Sequence, residues 1–174
     1  MTRHADALVL TEVDAGIGIV TLNRPHAHNL LDASLAESLI GAIDDLVARP
    51  GVRTIVLSAL GDSFSVGSDP LELERSGLIA VEPALAARLL RSVAECPRPV
   101  VARVQGPAYG LGAGLIAACD IAIASFDAEF SFEAVHIGRV PAVIAPYVIG
   151  AVGPQRARRY FLTGLVIAAP LAIT

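Results

Sequence analysis

The chain contains no lysine and no tryptophan, and only one methionine and two cysteines among its 174 residues. Charged residues make up only 17%, whereas hydrophobic residues reach 54%. The mean hydropathy of +0.63 excludes an intrinsically disordered chain, because such chains have too little apolar surface to form a core. The length fits one domain with a sizeable core.

Basic stripes are also missing. All 13 basic residues are arginines scattered along the chain, the net charge is −4, and the pI is about 5.5. Nucleic-acid-binding domains concentrate positive charge on one face, often with aromatic residues between the basic ones. We therefore expect no nucleic-acid partner.

No apolar run is long enough to span a membrane, which takes about 18 uninterrupted residues. The two most apolar stretches, 111–125 and 141–152, are interrupted by Asp120 and by Pro146 and Gly150. Residues 1–10 carry Asp6 and lack the basic and apolar regions of a signal peptide. These features predict a cytoplasmic protein without membrane association, with a partner subunit helping its solubility.

Metal-binding spacing is absent as well. Cys96 and Cys119 stand alone, and the pair His26 and His28 has no third ligand nearby in the sequence. We expect no metal site, and buried free thiols in a reducing compartment.

Strand-like and helix-like segments alternate along the chain, which predicts an α/β fold with helices covering sheets. A hairpin signal joins strands 8–13 and 19–23, and helical spacing starts at Asp32 or Ser34 and ends before Pro50. The remaining segments are a strand at 53–59, a helix at 81–96, a strand at 100–104, a short helix ending at 119 and a strand at 120–124.

A glycine-rich turn, residues 106–114, follows one predicted strand and opens a helix. Its spacing is neither a dinucleotide fingerprint nor a P-loop, because it lacks the following acidic residue and the Gly-Lys-Ser/Thr sequence. Two interpretations remain: a tight packing turn, or a backbone cradle for an anion or a polarised carbonyl oxygen.

Several motifs in one order resemble the enoyl-CoA hydratase/isomerase (crotonase) superfamily from about residue 8 to residue 164. They are Asn23-Arg24-Pro25 with Asn29, Ile55-Val56-Leu57, Phe64-Ser65-Val66-Gly67-Ser68-Asp69, Pro99-Val100-Val101-Ala102, the glycine-rich turn and Ala118-Cys119-Asp120-Ile121. Residues 137–148 and 153–164 are most similar to hydratases of branched-chain and isoprenoid acyl-CoA breakdown, such as methylglutaconyl-CoA hydratase.

The resemblance implies a crotonase-like spiral of ββα units that binds acyl-CoA thioesters. The resemblance also implies that the protein needs no cofactor beyond the coenzyme A that the substrate carries. Two backbone N–H groups polarise the thioester carbonyl in this family, and their positions map onto Ser68 and Leu111. Leu111 replaces a usual glycine, so its Cβ could crowd the acyl group or demand a backbone angle that leucine resists.

The resemblance also implies a set of substrate-binding residues. For Arg24, the resemblance implies a position near the coenzyme A phosphates, and the alternative is a solvated arginine on the surface. Asp69 and Asp120 can each be explained by local hydrogen bonds instead, with Asp69 as a helix cap. The set is Arg24, Ala27, Val66, Gly67, Ser68, Asp69, Tyr109, Gly110, Gly112, Gly114 and Ala134.

The two glutamates that serve as acid and base in the family map onto Gly114 and Ala134, neither of which carries a carboxylate. Glu133 lies one residue early, and in an extended segment it would point away from the Ala134 face. His136 would share that face. The alternatives are a substitute acid or base at Glu133 or His136, or a solvated glutamate and a structural histidine.

Beyond residue 164 the chain departs from the family. We expect a crotonase-like core at 1–164 and an aberrant tail at 165–174 in place of the C-terminal helices that cover the pocket and build the trimer, as in a truncated or frameshifted gene. The predicted activity is that of an enoyl-CoA hydratase, a carbon–oxygen lyase, with weak or absent turnover. The alternatives are a non-catalytic acyl-CoA-binding protein, associated with itself or with a full-length relative, and a gene remnant.

Overall fold

A computed structural model describes residues 7–68 and 81–169 of the chain. Its strands are β1 Val9–Asp14, β2 Ile17–Leu22, β3 Thr54–Ala59, β4 Val100–Val104, β5 Ala108–Tyr109, β6 Ile121–Ala124, β7 Glu129–Ser131 and β8 Ile167–Ala168. Its helices are α1 Ala33–Ala48, α2 Pro83–Ala94, α3 Leu111–Ala117, α4 Ala145–Val152 and α5 Pro154–Thr163, with 3-10 helices at Pro25–Ala27 and Glu133–Ile137.

The larger sheet has the strand order β1-β2-β3-β4-β6. Strand β1 pairs antiparallel with β2, and every other neighbouring pair is parallel. The β1–β2 turn consists of Ala15 and Gly16, with φ of 47° and 84°. Two left-handed turn residues match the twist of the flanking strands, so the predicted hairpin is confirmed.

Helix α1 begins directly after Asp32, whose carboxylate accepts a hydrogen bond from the Leu35 N–H at 2.8 Å. The apolar stripe of Leu35, Leu39, Ile43 and Leu46 is buried in the core. The predicted start and buried face of this helix are therefore confirmed.

The smaller sheet has the order β5-β7-β8 and includes part of the segment predicted to be a tail. Strand β8 pairs antiparallel with β7, and Ile167 and Ala169 are buried, whereas Leu165 and Val166 are exposed. Residues 167–169 of the predicted tail thus contribute a strand and two buried side chains, and the assignment of residues 165–174 as an aberrant tail stays a prediction. Residues 170–174 lie outside the described part.

The segment after β7 is not extended. Residues Glu133–Ile137 form a 3-10 helix closed by Gly138 at φ 68°. A 3-10 helix has three residues per turn, so Glu133 and His136 lie on the same side. The expectation that strand alternation would separate Glu133 from His136 is wrong for this reason.

Both cysteines are free and half-buried rather than fully buried. Burial, followed by the charge of Asp120, raises the pKa of the Cys119 thiol to about 12. A thiol with so high a pKa is a poor nucleophile at neutral pH. Within residues 7–68 and 81–169, no helix is both long and apolar enough to cross a bilayer.

Candidate functional site

The glycine-rich turn lies directly against the loop that carries Ser68. The Tyr109 N–H donates to the Ser65 carbonyl at 2.9 Å, and the Phe64 N–H donates to the Pro107 carbonyl at 3.0 Å. A Cβ at Gly112 would lie 2.5 Å from the Ser65 carbonyl oxygen, far inside van der Waals contact. Glycine at 112 thus lets helix α3 pack on this loop.

Gly67, the residue directly before Ser68, lies against the backbone nitrogen of Leu111. A Cβ built on Gly67, which has φ of 79°, would lie 3.0 Å from the Leu111 nitrogen and would overlap the Tyr109 carbonyl oxygen. Among the described residues, no backbone carbonyl accepts a hydrogen bond from either N–H. Within the described part of the chain, both N–H groups therefore lack a backbone acceptor.

Leucine at position 111 causes no backbone strain. The left-handed φ of 50° belongs to Gly110, and Leu111 is the first residue of helix α3, outside the set of non-glycine residues with positive φ. Its side chain is 9% exposed and belongs to the core. The expected demand for a backbone angle that leucine resists is wrong, because the preceding glycine supplies the unusual angle.

Both donors border one cavity of about 410 Å³, which we call the central cavity. Of the predicted site residues, it brings together Ser68, Leu111, Val66, Tyr109, Gly110, Glu133 and Ala134, together with His136. Its other lining residues are Val81, Pro83, Ala86, Ile137, Arg139, Val140, Pro141, Ala142, Val143 and Ile144. The mixture of apolar walls with a few polar groups is typical of a small-molecule site.

A buried hydrogen-bond network holds the loop before Ser68. The Asn29 side chain donates to the carbonyls of Leu60 and Ser63, both at 2.9 Å. The Ser65 hydroxyl donates to the Asn29 carbonyl at 2.8 Å and accepts from the Gly67 N–H at 3.1 Å. Because these groups satisfy one another in the interior, the position of Gly67 is well determined.

Arg24 and Ala27 lie outside the lining of the central cavity. Arg24 is buried, with its Nη1 3.0 Å from the Asp32 carboxylate and donating to the Leu30 carbonyl at 3.0 Å. The alternative interpretation of Arg24 as a solvated surface residue is therefore wrong, because its guanidinium lies inside the fold. Both contacts use Nη1, so Arg24 ties the loop to Asp32, and its contact with a coenzyme A phosphate stays a prediction.

The two histidines of the same loop, His26 and His28, are exposed. The His28 Nδ1 lies 3.5 Å from the Asp62 carboxylate and 3.3 Å from the Ser63 hydroxyl. Within residues 7–68 and 81–169, no group of three side chains is arranged to hold a metal ion. Asp69, a further predicted site residue, lies outside the described residues, whereas Asp120 accepts a hydrogen bond from the Val100 N–H at 2.7 Å, as its local explanation requires.

The side chains of Glu133 and His136 differ in how firmly hydrogen bonds fix them. The His136 Nε2 lies 3.3 Å from the Thr163 carbonyl oxygen, a contact that ties the 3-10 helix to the end of α5. Glu133 is exposed at the cavity edge. Of the two, Glu133 has the freer side chain to meet a ligand.

Tyr109 makes a contact that the sequence did not reveal. Its hydroxyl donates to the Glu129 carboxylate at 3.1 Å. Burial raises the pKa of Tyr109, and so do the hydrogen bond to Glu129 and the negative charges of Glu129 and Glu133. The tyrosine is therefore a neutral phenol at physiological pH, beside two carboxylates.

Gly114 lies in the buried part of helix α3, behind the cavity wall. A Cβ built at this position would overlap the Ile144 side chain, which lines the central cavity. Ile144 thus occupies the space into which a side chain at position 114 would project. No side chain larger than hydrogen fits there unless Ile144 moves.

We expect Gly114→Ala to lower the free energy of unfolding by about 1–3 kcal/mol, because the added methyl overpacks the core. The double variant with Ile144→Ala should recover part of that loss, since the smaller side chain opens the space. Urea denaturation of both single variants and the double variant measures the coupling. Strictly additive losses would contradict the proposed contact.

The comparisons with known proteins agree with this geometry. The model of the enoyl-CoA hydratase/isomerase family matches residues 12–172. A Thermus thermophilus protein that carries the name enoyl-CoA hydratase is 38% identical over 166 residues, covering 92% of this chain and 66% of its own length. The zebrafish enoyl-CoA hydratase domain-containing protein 3 is 34% identical over 180 residues, covering 99% of this chain and 61% of its own length.

A solved enoyl-CoA hydratase from Shewanella pealeana superimposes with a TM-score of 0.88 at 32% identity, covering 95% of this chain and 64% of that one. The fold is therefore crotonase-like. The chain belongs to the enoyl-CoA hydratase/isomerase family. It spans about two thirds of the length of the relatives named above.

Proposed function

We propose that this chain binds acyl-CoA thioesters in the central cavity, with the thioester carbonyl oxygen between the N–H groups of Ser68 and Leu111. The observation that supports the proposal is that Ser68 and Leu111 both line one cavity, and that their N–H groups lack backbone acceptors among the described residues. Fixed backbone donors stabilise an enolate oxygen as its charge develops, each worth about 3–4 kcal/mol when well aimed.

Apart from Arg24, Ala27 and Asp69, the remaining predicted residues are proposed to line or support the same site. Val66, Tyr109 and Gly110 border the cavity, and Gly67 and Gly112 allow the close approach of the two loops. Gly114 is assigned a packing role. Ala134 is at the wall, so the acyl chain can pass beside it.

The reaction that the family suggests is the addition of water to a 2-enoyl thioester, giving a 3-hydroxyacyl thioester. Turnover is expected to be weak or absent, because positions 114 and 134 carry no carboxylate. Glu133 lines the cavity and is proposed as a substitute acid or base. The missing carboxylates also favour a second candidate, an acyl-CoA-binding protein without turnover.

Titration calorimetry with several saturated and unsaturated acyl-CoA thioesters tests the binding proposal. We expect heat of binding and a thermal shift with at least one acyl-CoA. Free coenzyme A should give a much weaker response, because it lacks the acyl group and its thioester carbonyl. No heat and no thermal shift with any thioester would contradict the proposed function.

Ala134→Glu is expected to raise the rate of hydration at least tenfold, because it places a carboxylate at the cavity wall and general acid–base catalysis contributes about 10²–10⁴-fold. Loss of enoyl-CoA absorbance measures the rate. Ala48→Glu, at the exposed end of α1 and outside the cavity lining, is the control and should leave the rate unchanged. Equal rates for Ala134→Glu and the unaltered protein would contradict a pocket shaped for hydration.

We also propose association with a second copy or with a longer relative. Strand β6 ends the larger sheet, and Ile121, Ile123 and Phe126 on and after it are 55%, 63% and 80% exposed. Exposed apolar groups of this size favour association. Size-exclusion chromatography with light scattering tests the oligomeric state, and a strictly monomeric protein would contradict self-association.

A further inference from the structure

Tyr109 and Glu129 are brought together by the smaller sheet. Strands β5 and β7 run parallel with Tyr109 opposite Ser131, so Glu129, two residues before Ser131, lies on the same face as Tyr109. The Tyr109 hydroxyl donates to the Glu129 carboxylate at 3.1 Å. Tyr109 lines the central cavity and is two residues from Leu111.

We propose that Tyr109 and Glu129 form a proton relay between the central cavity and the Glu129 carboxylate. The inference deepens the proposed function and rests on it, because the relay acts on a thioester held by Ser68 and Leu111. In this proposal Tyr109 is the catalytic residue, because its oxygen takes a proton from the reacting water. Glu129 acts through Tyr109 and is a positioning residue and final proton acceptor.

The relay accounts for each proton in the hydration of an enoyl thioester. Water gives one proton to the Tyr109 oxygen while the phenolic proton passes to Glu129, and the remaining hydroxide forms a bond to C3. The C2–C3 π electrons move to form an enolate, whose oxygen accepts hydrogen bonds from the two backbone amides. Glu129 then returns its proton to Tyr109, and the phenol passes its own proton to C2.

The surroundings of the phenol suit a group that stays neutral throughout. The hydrogen bond to Glu129, and the charges of Glu129 and Glu133, disfavour a free phenolate, and burial acts in the same direction. Transfer through the oxygen never leaves a phenolate, because one proton arrives as the other departs. Glu133 lies outside this relay, so its contribution is measured separately with Glu133→Gln.

The test compares the unaltered protein with Tyr109→Phe, Glu129→Gln and Glu129→Asp. The matched control is Tyr147→Phe, at a half-buried tyrosine on α4 that lines a separate cavity. Binding of butyryl-CoA is measured by calorimetry, and exchange of its C2 protons in D₂O is measured by mass spectrometry. Hydration of crotonyl-CoA is followed in parallel.

We expect Tyr109→Phe and Glu129→Gln to lower exchange and hydration to the uncatalysed rate while butyryl-CoA binding changes less than about threefold. Glu129→Asp should recover part of the rate, and Tyr147→Phe should keep all of it. The relay would be overturned, but not the proposed function, by unchanged rates in Tyr109→Phe. The same holds if the unaltered protein binds butyryl-CoA without any exchange. Absence of binding in the unaltered protein would overturn both the relay and the proposed function.

Discussion

Replacing Asp32 with alanine is expected to lower the free energy of unfolding by about 3–5 kcal/mol, because it leaves the buried Arg24 charge without its partner. The carboxylate lies 3.0 Å from the Arg24 Nη1 and also caps helix α1 through the Leu35 N–H. One substitution therefore removes an ion-pair partner and a helix cap. Guanidinium denaturation monitored by circular dichroism measures the change.

Asp45→Ala is the matched control, because Asp45 is an exposed aspartate on the same helix. A surface substitution of this kind changes stability by about 0.5 kcal/mol or less. Similar losses for the two variants would contradict the assignment of Arg24 and Asp32 to a structural ion pair. The substitution Arg24→Met should be milder than Asp32→Ala, since it removes the buried charge itself.

Replacing Gly67 with alanine is expected to weaken acyl-CoA binding about tenfold or more, because it misplaces two hydrogen bonds to the carbonyl, each worth about 0.5–1.5 kcal/mol. The new Cβ would overlap the Tyr109 carbonyl and press against the Leu111 nitrogen, at a φ of 79° that alanine resists. The two loops must separate, and the two N–H groups separate with them. Titration calorimetry with the best-binding acyl-CoA measures the loss.

Gly41→Ala is the control for this variant. Gly41 lies exposed on α1 with nothing within 4 Å of its added Cβ, so alanine should preserve binding and stabilise the helix by about 0.5–1 kcal/mol. Circular dichroism of Gly67→Ala establishes that the variant is folded before binding is compared. Undiminished binding in a folded Gly67→Ala would contradict the shared donor site.

Local signals made part of the fold predictable from the sequence. The Ala15-Gly16 turn and the Asp32 cap depend on neighbouring residues only, so the hairpin and helix α1 follow from their own segments. The succession of strand, helix and strand also predicts parallel pairing, because parallel neighbours need a crossover. The family motifs then located the loops that carry Ser68 and Leu111.

Contacts between distant segments were not predictable in the same way. The Arg24 ion pair depends on how the loop folds over α1, and the Tyr109 contact with Glu129 depends on the register of β5 and β7. Strand β8 pairs with strand β7, some 37 residues earlier in the chain. The sequence near β8 therefore could not indicate which strand it pairs with. The extended conformation expected for residues 132–136 is not observed, because residues Glu133–Ile137 form a 3-10 helix that ends at Gly138.

The most direct test of the shared donor site is the infrared carbonyl stretch of a bound acyl-CoA labelled with ¹³C at the thioester carbon. Hydrogen bonds from two fixed amides polarise the carbonyl, so the band should move to lower wavenumber than in water, and it should return toward the value in water in Gly67→Ala. A tightly bound thioester whose band does not move would contradict the account.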